Sequence, residues 1–155
     1  MLTAFASTSH RSRFGFTLAE TLITLGILAI LVGALAPVVS RQVSHARVNN
    51  AAQVVAADLE QALSLAARQR RPVRVTVDPS QRSLLVADRA NGQAIARQAY
   101  GSASEYKLEA FSSTPASIDI LPHGVATSAA TLTVGIGAYS RRVTLTRAGQ
   151  VRVQP

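Results

Sequence analysis

Gly15-Phe16-Thr17-Leu18-Ala19-Glu20, running straight into an uncharged apolar stretch over residues 21–39, is the segment on which the fold turns. A basic leader ends at the glycine. Residues 1–15 carry His10, Arg11 and Arg13 and no acid. A phenylalanine follows, and one carboxylate sits five residues past the glycine, where an apolar helix has already begun. A charge inside a bilayer is costly, so a lone acid there needs a reason.

The apolar stretch is nineteen residues long, close to the roughly twenty that span about 30 Å of hydrocarbon. Two arginines flank its N-terminal side, which favours that end in the cytoplasm and the bulk of the chain outside. An ordinary secretory signal is cut after its apolar run. Here the small residue lies before the run. A cut at Gly15 leaves the whole apolar segment on the mature chain.

The order Gly-Phe-Thr-Leu-x-Glu followed by about twenty apolar residues resembles a type IV prepilin signal, also called a class III signal. The resemblance implies cleavage after Gly15 by a prepilin peptidase. Phe16 becomes the new N-terminus and is N-methylated, and Glu20 becomes the fifth residue of the mature chain. A proline at mature position 22 is common in the family, and Pro37 falls there. The resemblance gives Glu20 and Pro37 roles in filament assembly, with Glu20 facing the free amine of a neighbouring Phe16. The plainer alternative leaves Glu20 at headgroup level on a simple anchor, where a helix N-terminus favours an anion.

Composition bounds the rest. At 155 residues there is room for one ordinary domain. No cysteine is present, which excludes a disulfide, a thiol nucleophile and a cysteine metal site. The net charge is +8 and falls to +6 without Arg11 and Arg13; Lys107 is the only lysine. That balance permits acidic proteins, nucleic acid or anionic lipid as partners and does not choose among them. The histidines are His10, His45 and His123. His123 has Asp119 nearby but no Gly-x-Ser-x-Gly serine motif beside it, and reads as a turn residue. With no phosphate loop, carboxylate pair or metal spacing, no cofactor and no catalysis are expected. The chain reads as a peptidase's substrate.

From residue 40 to 71 there is no Gly or Pro. Val43, Val48, Ala51, Val55, Leu59, Leu63 and Ala66 recur at a helical period and form one apolar face. The apolar and amphipathic segments read as one long helix. Pro37 should kink or locally melt it, and Pro72 should end it after Arg68, Arg70 and Arg71.

Beyond Pro72 the period becomes two. Val73-Arg74-Val75-Thr76-Val77 alternates, residues 83–87 form a second strand, Asn91-Gly92 marks a hairpin turn, and residues 94–100 return. Residues 107–111 read as a short strand and 112–115 as a break. Strands over 117–121, 131–136 and a final hairpin over 141–153 complete an antiparallel sheet head that the helix can cover. In that hairpin a three-residue loop, Arg147-Ala148-Gly149, pairs Leu145 with Val151 and Val143 with Val153. Gly149 takes the left-handed position. The outer face is then Arg142, Thr144, Thr146, Gln150, Arg152 and Gln154: either a solvated strand face or a contact for a partner pilin or for DNA phosphates.

Ile120-Leu121-Pro122-His123-Gly124 and the hairpin end Gly149-Gln150-Val151-Arg152-Val153 resemble the head of the GspH/FimT group of minor pilins. The resemblance implies an α+β, type IV pilin-like fold. Residues 1–15 are the cleaved leader, 16–39 the transmembrane and filament-core helix, 40–71 its amphipathic continuation and 72–155 the β-rich head. It implies a minor pseudopilin of a type II secretion system in the inner membrane, single-pass with a periplasmic head. Its partners would be the peptidase and other minor and major pilins or pseudopilins. The alternative is a FimT-like minor pilin of a type IV pilus. Some such proteins bind DNA through a C-terminal Gly-Arg-x-Arg motif. Gln150 stands at that motif's first arginine, so only Arg152 carries over. Arg141, Arg142 and Arg147 are left to compensate, and Arg142, Arg147 and Arg152 are the candidate DNA or partner contacts.

Overall fold

A computed structural model describes residues 16–154. Gly15, and with it the expected cleavage site and leader, lies outside the described residues. The chain divides into two compact units, Met1–Val39 and Ser40–Pro155.

One helix, α1 (Leu18–Gln69), runs through both. Thr17 caps its start: the Glu20 N–H donates to Thr17 Oγ1 at 3.2 Å. In the first unit every large side chain of α1 is exposed, from Leu18 through Val39. Thr21 and Thr24 return their hydroxyls to the Leu18 and Thr21 carbonyls at 2.8 and 2.9 Å, so these polar groups are satisfied within the helix. α1 stays helical through Pro37, so of the two expected outcomes, a kink or local melting, the melting does not occur. α1 also ends two residues before the expected stop. Arg70 adopts φ 52, the left-handed conformation that terminates helices, and Arg71 precedes a proline, which disfavours helical geometry.

In the second unit α1 turns a narrow face inward. Val48, Ala51, Ala52, Val55, Ala56, Leu59, Ala62 and Ala66 are buried. The alanines let the helix axis lie close to the strands, while Val43 and Leu63 of the expected face are exposed and half-buried.

The head has two four-stranded antiparallel sheets. The first has the order β3-β2-β1-β5: β1 (Val73–Asp78), β2 (Ser83–Asp88), β3 (Ala94–Ala99) and β5 (Ser117–Ile120). The second is β4-β6-β7-β8: β4 (Ala110–Thr114), β6 (Ala130–Ile136), β7 (Tyr139–Leu145) and β8 (Val151–Gln154). Alternate residues point inward: Val73, Val75 and Val77 from β1, Leu132 and Val134 from β6, Val143 and Leu145 from β7. They join the α1 face and the aromatic pair Tyr100 and Phe111 in one core.

Two strand expectations shift. Lys107 takes φ 49 and turns the chain. Leu108 then drops into the core, and the strand begins only at Ala110. It continues through Ser112-Ser113-Thr114, the expected break, because these residues pair with Thr133-Leu132-Thr131 of β6. Small polar residues suit the outer face of an edge strand, and Pro115, lacking an N–H, ends the ladder. The Asn91-Gly92 turn belongs to a four-residue loop: Asp88 N–H donates to the Gln93 carbonyl at 2.9 Å, and Gly92 has φ 70.

Candidate functional site

At the N-terminal end, Phe16 is exposed just ahead of the Thr17 cap. Thr17-Leu18-Ala19-Glu20 has the spacing of a capping box, in which a Ser or Thr cap is followed three residues later by Glu or Gln. Glu20 thus stands three residues past the cap, with its N–H on Thr17. Its carboxylate sits in the first turn, where backbone N–H groups and the helix dipole favour a negative charge. The Thr-x-x-Glu spacing carries that signal in the sequence itself.

At the other end of the chain, the β7–β8 hairpin adopts the expected register. Leu145 pairs with Val151 and Val143 with Val153. The loop closes through Gly149 N–H to the Thr146 carbonyl at 3.0 Å and Thr146 N–H to the Gln150 carbonyl at 2.9 Å. Gly149 has φ 79. Pairing of Arg142 with Gln154 and of Thr144 with Arg152 puts these side chains on the outer face. Arg142, Arg147 and Arg152 are all exposed. Among the described residues none of the three forms an ion pair.

The hairpin tip rests on the turn after β5. Ala126 N–H donates to the Arg147 carbonyl at 2.9 Å. A Cβ built on Gly149 would lie 2.1 Å from the Gly124 carbonyl oxygen and 3.5 Å from Leu63 of α1. Gly124, with φ 78, closes its own turn on the Leu121 carbonyl. Both segments singled out in the sequence therefore meet, glycine against glycine, over one residue of the helix.

Arg141 departs from its expected place among compensating arginines. Its residue number has the parity of Val143 and Leu145, so it points inward. Its Nε donates to Asn49 Oδ1 of α1 at 2.9 Å and to the Tyr139 hydroxyl at 3.0 Å. Tyr139 donates to the same Asn49 oxygen at 3.1 Å, and His45 stacks on the Tyr139 ring at 3.9 Å. This network ties β7 to α1 and withdraws Arg141 from the outer face. The strand period already separates residue 141 from 142.

Two further polar contacts were not legible in the sequence. Tyr100, fully buried, donates to the Asp58 carboxylate of α1. Burial pushes the Asp58 carboxyl up, and burial with Asp58 pushes the Tyr100 hydroxyl up. Asp119 is gripped by Arg74, with Nε to Oδ1 at 2.7 Å and Nη2 to Oδ2 at 3.1 Å, and by Arg89 at 3.0 Å. The Arg74 hydrogen bond holds the Asp119 carboxyl below its ordinary value. His123 lies exposed in a turn. The acid near it in sequence is thus committed to two arginines. Among the described residues no group of three or more His, Asp or Glu side chains is placed to hold a metal.

Comparison with known proteins gives these features a family. The family described as "Type II transport protein GspH" matches residues 51–149, and the "Prokaryotic N-terminal methylation motif" matches residues 10–36. No curated protein sequence matches the chain. The fold is similar to that of the type IV minor pilin FimU of Pseudomonas aeruginosa, with TM-score 0.57 and 19% identity over 70% of this chain and 88% of that one. It is also similar to the minor pseudopilin EpsH from the type 2 secretion system of Vibrio cholerae, with TM-score 0.53 and 14% identity over 70% of this chain and 96% of that one. The chain carries a prepilin-type methylation motif and belongs to the GspH family of pilin-like proteins, non-enzymatic components of a filament.

Proposed function

We propose that this protein is a minor pseudopilin of a type II secretion system. It waits in the inner membrane through residues 16–39 and is cut after Gly15. Phe16 is then N-methylated, and the helix enters a short periplasmic filament with other pseudopilins. The match of the head to the GspH family carries this reading. The state of the hairpin supports it: Gln150 replaces the first arginine of the DNA-binding motif, and Arg141 is held by Asn49. The energetic logic is burial. Exposed apolar side chains of α1 leave lipid for a bundle of neighbouring helices. Glu20 then sets axial register, because an unpaired carboxylate in that bundle is costly. Pro37 shapes the helix within it.

The test is processing and incorporation in the native host. Wild-type chain should lose residues 1–15 and co-purify with pseudopilins. Replacing Gly15 by a bulky residue should abolish both; an unchanged mature mass in that variant sinks the cleavage site. Glu20→Ala should be cleaved normally but be depleted from filaments, and wild-type incorporation of that variant overturns the register role.

A second reading, a FimT-like pilin that binds DNA, is favoured by one observation: Arg142, Arg147 and Arg152 are exposed and form no ion pair among the described residues. Duplex DNA binding by the full chain in detergent, followed across a salt series, separates the two. Binding that weakens with salt and disappears in the Arg142/Arg147/Arg152 triple-alanine variant supports the DNA reading. No binding at low salt leaves the secretion reading alone.

A further inference from the structure

A cavity of about 330 Å³ opens in the head beside the first turns of α1 that follow the apolar stretch. Arg41, Ser44 and His45 line it from the helix. Glu109, Tyr139 and the Gly137-Ala138 turn between β6 and β7 line it from the sheet. Arg41, Ser44 and His45 are spaced i, i+3, i+4 and share one helix face.

The position of this cavity along the helix matters. Arg41 is two residues past Val39, so the chain itself keeps it within about 8 Å of that residue. A bilayer's polar layers extend roughly 5–8 Å beyond its hydrocarbon on each side. If residues 16–39 span the hydrocarbon, the cavity opens among the lipid phosphates. Its rim suits that layer. Tyr139 is an amphipathic aromatic of the kind enriched at membrane interfaces, held in place by His45 and Asn49. Exposed Ala138 and half-buried Ile136 add apolar surface to its lining.

The charges have opposite signs on opposite walls. Arg41 forms no ion pair among the described residues. Glu109 uses Oε2 to accept the Gly137 N–H at 2.8 Å, and among the described residues no hydrogen bond engages its Oε1. A simple anion would satisfy Arg41 and be repelled by Glu109. A ligand bearing a phosphate at one end and a hydrogen-bonding cation at the other satisfies both.

We propose that this cavity binds the headgroup of a membrane phospholipid whose phosphodiester carries a primary ammonium. The phosphate pairs with Arg41, with a His45 ring N–H as a second donor. The ammonium donates to the open oxygen of Glu109. A quaternary ammonium has no N–H to give, so ethanolamine lipids are preferred over choline lipids. The inference rests on the membrane-anchored reading of residues 16–39.

The full chain, inserted in bilayer discs of phosphatidylcholine doped with phosphatidylethanolamine or phosphatidylglycerol, is released into a mass spectrometer and its retained lipids are counted. Phosphatidylethanolamine should be kept about fivefold more than phosphatidylcholine, the scale of one part-exposed charge-assisted hydrogen bond. Glu109→Gln keeps an acceptor for Gly137 and should erase that preference. Arg41→Gln should lower retention of both lipids. Glu60→Gln, an exposed carboxylate outside the cavity, should change nothing. Equal retention of the two lipids, or a preference that survives Glu109→Gln, overturns the proposal. Stronger retention of phosphatidylglycerol overturns it in favour of a plain anion site. Equally tight binding of free phosphoethanolamine overturns the lipid as the source. A chain that fails to enter discs sinks the membrane reading itself; a chain that enters without selectivity sinks only this inference.

Discussion

The two halves of α1 share one backbone geometry and differ in what surrounds their side chains. From Leu18 to Val39 the helix displays Leu, Ile and Val on every side, all exposed. From Ser40 to Gln69 it hides a strip dominated by alanine and valine and leaves Arg41, Gln53, Glu60 and Arg68 in solvent. A helix that is hydrophobic all round is not finished by its own chain. The second half is complete within the head; the first needs lipid or neighbouring helices. The packing of the head and the exposed apolar surface therefore lie on different stretches of the same element, and mutations can separate them.

The sharpest separation pairs two leucines. Leu59→Ala removes a fully buried side chain and should cost about 2–5 kcal/mol of head stability. Leu25→Ala removes an exposed one and should leave the head's melting temperature unchanged in detergent. If Leu25→Ala melts the head, the two halves are not independent.

Next in size is the hairpin tip. Gly149→Ala would put a methyl 2.1 Å from the Gly124 carbonyl at a left-handed position, and should destabilise the head by about 2 kcal/mol or more. Thermal melts check it; a neutral effect would mean the tip yields easily.

Smaller again is Tyr100→Phe, which leaves the half-buried Asp58 carboxylate without its donor and should cost about 1–3 kcal/mol near neutral pH. An unchanged melting temperature would show that water replaces the hydroxyl.

The smallest effect is an acid limb. Arg74 lowers the Asp119 carboxyl, so its stabilising effect is complete above the unfolded carboxylate's value of about 4 and fades as the pH falls through the lower native value. Asp78, lowered by its Ser80 hydrogen bond, works in the same direction. Asp119→Asn should flatten part of the stability loss below about pH 4 and leave the Asp78 part in place. A wild-type slope in that variant removes Asp119 from the explanation.

What could be read in the sequence was local. The register of β7 and β8 followed from alternating valines and one glycine, because a short hairpin is fixed by its own turn. Most of the buried face of α1 followed from its period, but Ala52, Ala56 and Ala62 were not on the expected face and Val43, which was, is exposed. The division into two sheets could not be read this way: β1 pairs with β5 across more than forty residues, and no local period encodes that partner. The second half of strand β4 was hidden because Ser112-Ser113-Thr114 reads as loop until the β6 partner is known. At the candidate sites the arginines of the outer face were legible from parity. The Tyr100–Asp58 and Arg74–Asp119 contacts were not, since each joins distant segments through side chains alone.

The glycine-on-glycine contact has a consequence for how such heads diversify. With Gly149 seated on Gly124 and Val143 and Leu145 buried beneath, the hairpin's frame is set by that seat and by backbone pairing. Arg142, Gln150, Arg152 and Gln154 join it through their backbones, and among the described residues their side chains make none of its hydrogen bonds. They form a rewritable surface on a fixed mount, free to exchange charge and chemistry between lineages while the mount stays as it is. Transplanting only those outer residues between two heads should carry binding preference with them and leave each recipient's melting temperature where it was.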